Sequence, residues 1–354
     1  MSPRHTHPPR VSILDIAQRA GVSPATVSRA FNAPDLVQDR TRAAILEIAA
    51  DLGYRPNASA RTLRTLRSKV VGIVLPTLNN PVFAECLQGM AGASARLGYA
   101  IMPVTTQYRL DAEQDAVDEL MAFGVDGVVL VVSDAASSKA IPRLKTQGVP
   151  YVLAYNRHPA HPCVSVAGED AMYEIVQGLV NMGHQRIAMI CGRLRASDRA
   201  QQRLAGFSLA MERLGLDPFP LIEVPFVETA IREIADALSR SDRPTALVCS
   251  NDLLAMRAMR AAYECGLRIP DDLSITGFDG ITLGADLTPS LSTVVQPNAQ
   301  MGWAAVDWLV RDMDRHTRPD ASASITLEYR IRWAESCASA PSTACIPSRG
   351  LRVT

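Results

Sequence analysis

The segment Ala20–Asn32 reads AGVSPATVSRAFN and carries three hydroxyl residues, Ser23, Thr26 and Ser28, on a stretch with the apolar spacing of a helix. Serine and threonine are poor residues for helix interiors because their side chains compete for backbone hydrogen bonds. Three hydroxyl residues in so short a stretch are unexpected for a helix with a purely structural role. The surrounding sequence has to explain it.

The residues on either side predict two further short helices. A first apolar stripe ends at Gly21, where a tight turn needs a residue without steric limits on φ. Ser23 is a suitable N-cap for the next helix, and Pro24 suits its first position. A third helix is predicted over Asp39–Leu52. Three short helices with a glycine turn between the first two predict a helix-turn-helix domain over residues 11–56.

The charge of the chain is distributed unevenly, although the net charge is zero. Residues 1–69 contain 11 Lys or Arg and 5 acidic residues, a net charge of +6, and the remainder carries −6. A basic N-terminal segment followed by an acidic remainder is typical of a protein that binds nucleic acid through one end of its chain.

The exposed face of the second helix accounts for the hydroxyl residues. Val27, Ala30 and Phe31 point to the core, so short polar groups opposite them can reach phosphate oxygens. Arg29 has the reach and the fork geometry to read guanine. The structural alternative is that Ser and Thr only cap and decorate a helical bundle. The predicted DNA face consists of Pro24, Ala25, Thr26, Ser28, Arg29 and Asn32.

A basic segment, LGYRPNASARTLRTLRSK, follows the third helix. Asn57 is a candidate N-cap, and Leu63 is isolated among arginines that include Arg64. Such a segment can form a helix on DNA, with the leucine between base steps of the minor groove and the arginines on phosphates. The alternative is a solvated linker. Residues 57–69 are therefore predicted to be a hinge.

These stretches together resemble a known family. The segments VSPATVSR, GYRPN, VGIVLPTLNNPVFAECLQGM, RLAGF, SNDLLAMRAMRA, ITGFDG and LSTVVQP are similar to the LacI/GalR transcription regulators up to about Ser336, and NNPVF looks like the gluconate-repressor branch. The resemblance implies that Pro24, Ala25 and Arg29 read the bases, although proline has no hydrogen-bond donor. It also implies that Leu63 is a wedge in the minor groove. It also implies phosphate contacts from Ser23, Thr26, Ser28 and Asn32.

The body of the chain predicts two α/β units. From Val70 onward, apolar runs alternate with helical stretches, and the pattern restarts near Asp170, as in parallel sheets covered on both faces. The predicted fold class is α/β: a three-helix headpiece and a hinge helix, then a bilobed core resembling periplasmic binding proteins. The core is expected at 70–336, with lobe 1 at about 70–156 and 295–323, lobe 2 at about 157–294 and 324–336, and the segment HPAHP at 158–162 connecting the lobes.

A ligand site is expected beyond the carboxyl ends of the strands, where parallel sheets bind ligands. These ends carry an arginine, amides, a carboxylate and aromatic rings, as in sites for polyhydroxylated ligands. Alternatively, Asn251 or Asp252 only caps a helix, Asp279 is a turn residue, and the two phenylalanines belong to the core. The resemblance implies an effector site formed by Phe83, Ser133, Asn156, Arg203, Phe226, Asn251, Asp279 and Gln296.

The charges near this site favour one class of effector. Asn156 stands where many family members have aspartate, and Arg193, Arg195 and Arg199 precede Arg203. One carboxylate fewer and several arginines favour a sugar acid or a phosphorylated sugar over a neutral sugar. The resemblance implies a repressor that its effector releases from the operator. The alternative is a regulator that needs the effector as a corepressor.

Other classes of protein fit the sequence less well. No apolar run is as long as a membrane span, and MSPRHTHPPR lacks the apolar core of a secretion signal, so a cytoplasmic location is expected and a periplasmic solute-binding protein is disfavoured. Seven cysteines without a CxxC pair argue against a zinc site. We find no motif of an enzyme and expect no cofactor.

The ends of the chain and its assembly complete the prediction. Residues 1–10 are expected to form a disordered arm and residues 337–354 a disordered tail without leucine heptads. The expected partners are double-stranded, pseudo-palindromic operator DNA, a small effector and a second copy of the chain, because a helix-turn-helix of this kind reads two half-sites as a dimer.

Overall fold

The computed structural model describes residues 11–54, 67–217, 219–226 and 230–341. The chain divides into two compact units, with the boundary between Ser68 and Lys69. The first unit is called the head and the second the core.

The head contains the three predicted helices, α1 (Ile13–Ala20), α2 (Pro24–Asn32) and α3 (Asp39–Asp51). Ser12 and Asp15 form a capping box at the start of α1, and Gly21 ends it with φ of 64°. The inner faces of the helices share a small hydrophobic core that includes Ile16, Val27 and Ile45. The predicted helix-turn-helix is therefore confirmed.

The described residues of the core form two six-stranded sheets covered by helices. The first sheet contains β1 (Val70–Leu75), β2 (Ala100–Thr105), β3 (Gly127–Leu130), β4 (Tyr151–Ala154), β5 (Cys163–Val166) and β11 (Ile325–Leu327). The second contains β6 (Ile187–Gly192), β7 (Ile222–Val224), β8 (Ala246–Cys249), β9 (Ser274–Asp279), β10 (Ser292–Val295) and β12 (Arg330–Arg332). The helices are α4 (Pro81–Arg96), α5 (Leu110–Ala122), α6 (Ala140–Gln147), α7 (Gly168–Asn181), α8 (Asp198–Arg213), α9 (Ile231–Leu238), α10 (Asp252–Glu264) and α11 (Asn298–Asp314).

The two sheets have the same strand order and differ in the direction of one edge strand. The strand orders are β2-β1-β3-β4-β5-β11 and β7-β6-β8-β9-β10-β12, and all neighbours are parallel except β10 and β12. The central strands β3, β4, β8 and β9 are buried along their whole length, because helices cover both faces. We call the two halves the first and the second lobe.

Within its described residues, the chain crosses between the lobes at three places, and two of them differ from the prediction. β5 pairs with β4 in the first sheet, so HPAHP connects two strands of one lobe and the first crossing follows Val166 rather than residue 156. The segment 324–336, predicted to belong to lobe 2, is split between the lobes, since β11 pairs with β5 and β12 pairs with β10. Both errors arise because strands of three or four residues between turns give little periodic signal.

Helices α4 and α11 pack closely on the first lobe. A Cβ atom at Gly89 would collide with the carbonyl of Ala299, and one at Gly302 with the carbonyl of Cys86. The two glycines therefore allow the backbones of α4 and α11 to approach each other.

The ordered core continues beyond the predicted end at Ser336. The backbone N–H of Ala340 donates to the carbonyl of Met182 over 2.8 Å, and the carbonyl of Ala338 lies 3.1 Å from Nε2 of buried His184. The predicted tail therefore begins after Pro341 at the earliest, and residues 342–354 lie outside the described chain. The arm 1–10 and the hinge residues Asn57, Leu63 and Arg64 also lie outside it. None of the described helices is long and apolar enough to cross a membrane.

Candidate DNA-binding face and candidate effector cavity

Helix α2 presents the predicted DNA-binding residues on one face. The Arg29 side chain is exposed, and its guanidinium has no hydrogen-bond or ion-pair partner within the described part of the chain. Val27 and Ala30 are buried on the opposite side. The structure brings together Ser23, Pro24, Ala25, Thr26, Ser28, Arg29 and Asn32, of which Thr26 and Ser28 are half-buried and the others exposed.

Some of the hydrogen-bonding groups on this face form hydrogen bonds within the helix itself. Oγ of Ser23 accepts from the backbone N–H of Thr26 over 3.1 Å and lies 2.9 Å from Oγ1 of Thr26. The Asn32 amide donates to the carbonyl of Ser28 over 2.7 Å. Capping and DNA contact are compatible, because a hydroxyl that accepts a backbone N–H keeps its own hydrogen to donate.

A cavity of about 30 Å³ lies between the lobes of the core, at the carboxyl ends of the strands. This volume holds roughly two or three water molecules. It is lined by Asn80, Val82, Phe83, Tyr108, Tyr155, Ser197, Arg199, Ala200, Arg203, Phe226, Ser250, Asn251 and Asp279. Five of the eight predicted effector residues are among them: Phe83, Arg203, Phe226, Asn251 and Asp279.

Arg203 and Asp279 form a buried ion pair in the wall of this cavity. Their closest nitrogen and oxygen are 3.3 Å apart, and the Arg203 guanidinium also donates to the carbonyl of Ser250. The guanidinium carbon lies 3.7 Å from the centre of the Phe278 ring. Burial raises the pKa of the Asp279 carboxyl to about 7, against the opposing effect of Arg203. Gln296 donates to the Asp279 carboxylate over 2.9 Å, so it supports the cavity wall from behind.

Two residues at equivalent strand ends have left-handed backbone conformations. Tyr155 follows β4 with φ of 65°, and Asp279 ends β9 with φ of 122°. The two strands occupy the same position in the two sheets. The Tyr155 hydroxyl donates to the carbonyl of Val82 over 3.0 Å. Strained backbone outside glycine is concentrated at functional sites, because surrounding contacts have to maintain it.

Aromatic rings close the cavity from both lobes. Tyr108 of the first lobe stacks on Phe226 of the second, with ring centres 4.9 Å apart and planes inclined by 10°. Phe83 packs edge to face on Tyr155 at 5.7 Å. Burial raises the pKa of Tyr108 to about 12, so its hydroxyl stays neutral at physiological pH.

Sequence reasoning missed several lining residues. Tyr108 lies three residues after the edge strand β2, outside the strand ends from which the site was predicted. Arg199 belongs to the arginines that the sequence placed near the site, but it was not predicted as an effector ligand. Ser250 directly follows β8, and its buried Oγ has no hydrogen-bond partner among the described residues. The ends of β2 and β8 are the sequence signal that would have found Tyr108 and Ser250.

Ser133 and Asn156 do not line the cavity, although the sequence predicted both as effector ligands. The backbone N–H of Ser133 donates to Glu113 over 2.6 Å. The Asn156 amide is fully buried and bonded to Val132 and Asp198. In the described chain no three His, Cys, Asp or Glu side chains are grouped as metal ligands.

Known proteins match both units of the chain. Residues 12–57 match the lacI family of bacterial regulatory proteins, and residues 176–337 match the periplasmic binding protein-like domain. Catabolite control protein A of Priestia megaterium is 31% identical over 332 residues, which cover 92% of this chain and 99% of that protein. This chain belongs to the LacI family.

Other LacI-family proteins extend the comparison. The ribose operon repressor of Haemophilus influenzae is 34% identical over 84% of this chain and 90% of that protein. A crystal structure of the lac repressor dimer, bound to operator and the anti-inducer ONPF, has a TM-score of 0.83 at 26% identity and covers 93% of this chain and 100% of that one. The predicted family, fold class and function class are confirmed: this LacI-family chain is a DNA-binding transcriptional regulator.

Proposed function

We propose that the chain is a repressor that binds pseudo-palindromic operator DNA as a homodimer and is released by a small anionic carbohydrate in the cavity between its lobes. The exposed face of α2, with unpaired Arg29 at its centre, supports the DNA contact. The similar lac repressor was solved as a dimer on its operator. Within the hinge, the sequence supports Leu63 as a minor-groove wedge, with Asn57 as its helix cap and Arg64 on phosphate.

The observation that carries the effector class is the pair of guanidinium groups in the cavity wall. Arg199 is paired with Asp198 at 3.3 Å, and Arg203 is paired with Asp279, whose raised pKa leaves it partly protonated near neutral pH. The protonated fraction of Asp279 leaves Arg203 with excess positive charge in a buried environment, which favours an anion. Amides and hydroxyls from Asn80, Asn251, Ser197 and Ser250 can bond the hydroxyl groups of a sugar acid or a phosphorylated sugar.

Binding of such a ligand requires a change in the cavity. A hexose derivative is larger than the roughly two or three water molecules that the cavity holds, so the stacked rings of Tyr108 and Phe226 have to separate or the lobes have to move apart. Because a ligand held between the lobes favours one of their relative orientations, it can alter DNA affinity by population shift.

The test compares three ligands of one carbon skeleton: D-glucose, D-gluconate and D-glucose 6-phosphate. We expect the acid or the phosphate to raise Tm and to weaken operator binding, and a ligand at 100 times its Kd adds about 2.7 kcal/mol to stability. Inorganic phosphate at equal ionic strength controls for general ion effects. A response to D-glucose alone would contradict the anionic class. Tighter operator binding with ligand would contradict release and indicate corepression.

A further inference from the structure

The start of α8 in the second lobe is bonded directly to the first lobe. The backbone N–H of Asp198 donates to the carbonyl of Ser133 over 2.7 Å. The backbone N–H of Ala135 donates back to Oδ2 of Asp198 over 3.3 Å. Residues 132–135 follow β3, so these two bonds join the lobes at the carboxyl edge of the first sheet.

Asn156 provides the side-chain part of this junction. Its Nδ2 lies 2.8 Å from both carboxylate oxygens of Asp198. The same amide is fixed on Val132, where Nδ2 donates to the carbonyl over 2.9 Å and Oδ1 accepts from the backbone N–H over 3.0 Å. Asn156 is fully buried and Asp198 is 8% exposed. Both hydrogens of the amide are therefore used within the protein.

The chemistry of the pair requires an amide on one side and a carboxylate on the other. A buried carboxylate loses its hydration and needs donors to replace it. Asn156 and the backbone N–H of Ala135 supply these donors. An aspartate at position 156 would instead place two carboxylates 2.8 Å apart.

The same junction holds a residue of the cavity wall. NH1 of Arg199 donates to the carbonyl of Val132 over 2.7 Å and lies 3.3 Å from Oδ1 of Asp198. Arg199 belongs to the second lobe, and its guanidinium is oriented by a carbonyl of the first. The direction of this cation at the cavity therefore depends on contact between the lobes.

We propose that Asn156 and Asp198 form a latch, a buried amide–carboxylate pair that holds the two lobes together beside the cavity and positions Arg199. Asn156 is thus a positioning residue rather than an effector ligand. The latch is made entirely by residues of this chain. Its test needs no effector and is independent of the proposed effector class.

Hydrogen–deuterium exchange of the full-length protein tests the latch. In Asp198→Ala and in Asn156→Asp, we expect exchange at least about tenfold faster in peptides covering residues 132–138 and 194–201, because local opening becomes easier. Peptides from the head, residues 11–54, serve as an internal reference and should not change. Asp118→Asn, which removes an exposed carboxylate paired with Arg143, is the matched control.

The exchanged pair, Asn156→Asp with Asp198→Asn, separates pairing from general damage. It restores one amide and one carboxylate at the junction, so exchange in both segments should return most of the way to wild type. The latch is refuted if Asp198→Ala leaves both segments as protected as in the wild type. It is equally refuted if the exchanged pair is no better protected than Asn156→Asp. Should Asp198→Ala fail to fold, Asp198→Asn provides the same comparison and keeps the size and shape of the side chain.

Discussion

At the residue scale, Asp279 combines a strained backbone, complete burial and a shared ion pair with Arg203. Its carboxyl has a pKa of about 7 in the folded protein because burial disfavours the charged form. Between about pH 4 and pH 7, the folded state therefore keeps a proton on Asp279 that the unfolded state has lost. Stability from this group is greatest below the ordinary pKa near 4 and falls as pH rises through 7.

Asp279→Asn should remove this dependence. We expect the unfolding free energy of the wild type to fall, relative to that of the variant, as pH rises from about 4 to about 8. Urea titrations of both proteins at several pH values measure the difference. Asp252, whose pKa is raised to about 6 by burial, is present in both proteins and acts as a common background. Parallel pH profiles would show that Asp279 does not titrate in this range.

The sequence predicted some cavity residues better than others for a physical reason. The end of a parallel strand places a residue at the correct edge of the sheet, which was sufficient for Arg203, Asn251 and Asp279 to be expected near the site. A position at the end of a strand does not determine which polar neighbours form hydrogen bonds with the side chain. Asn156 and Gln296 lie at the same edge, but their amides are bonded to Asp198 and Asp279. Such pairings depend on contacts distant in sequence.

At the scale of elements, the contact between α4 and α11 depends on glycine. Gly89→Ala should destabilise the core by at least about 1 to 3 kcal/mol, because the added methyl group meets the backbone of Ala299. Gly168→Ala is the matched control, since the nearest atom to its Cβ would be Cγ of Arg203 at 4.0 Å. This control should change stability by less than about 0.5 kcal/mol. Equal Tm values for the two variants would mean that α4 and α11 can move apart without cost.

The recognition helix α2 allows a prediction about DNA. Arg29→Ala should weaken operator binding by about 1 to 3 kcal/mol and relax the preference at one base pair per half-site, because Arg29 is the long donor on this face. Thr26→Ala should weaken binding to all sequences alike, since its hydroxyl is placed for phosphate. Selection from random DNA, followed by titration, measures both effects. An unchanged consensus for Arg29→Ala would show that other residues read the bases.

Elements with long periodic patterns were predictable, and short ones were not. The three helices of the head follow from apolar spacing and capping residues that act locally. By contrast, β5 has four residues and β11 has three, and each is defined by its pairing with a distant strand. The sequence therefore predicted two parallel-sheet lobes but misplaced two of the crossings between them.

At the scale of the whole molecule, cavity and operator should be coupled. Arg203→Met combined with Asp279→Asn removes both charges of the buried pair, so neither is left unpaired. We expect this double variant to bind operator like the wild type but not to respond to an effector found in the ligand screen. The coupling lost is typically 1 to 3 kcal/mol.

The exposed pair Arg240 and Asp242 offers the matched control in the same lobe. Arg240→Met with Asp242→Asn should leave the response to effector unchanged. Operator titrations with and without effector give the coupling for each protein. A normal response in the Arg203 and Asp279 double variant would place the effector elsewhere.

The return of the chain to the first sheet at β11 affects how the protein folds during its synthesis on the ribosome. Ile325 of β11 pairs with Val164 of β5, so the first sheet is completed only when nearly the whole core has been translated. At about 5 to 20 residues per second, the delay is on the order of ten seconds. During this time β5 is an open sheet edge with unpaired backbone groups, which can recruit strands from other nascent chains. Newly made protein is therefore most vulnerable to aggregation before β11 emerges, and chaperones that shield this edge should raise its yield.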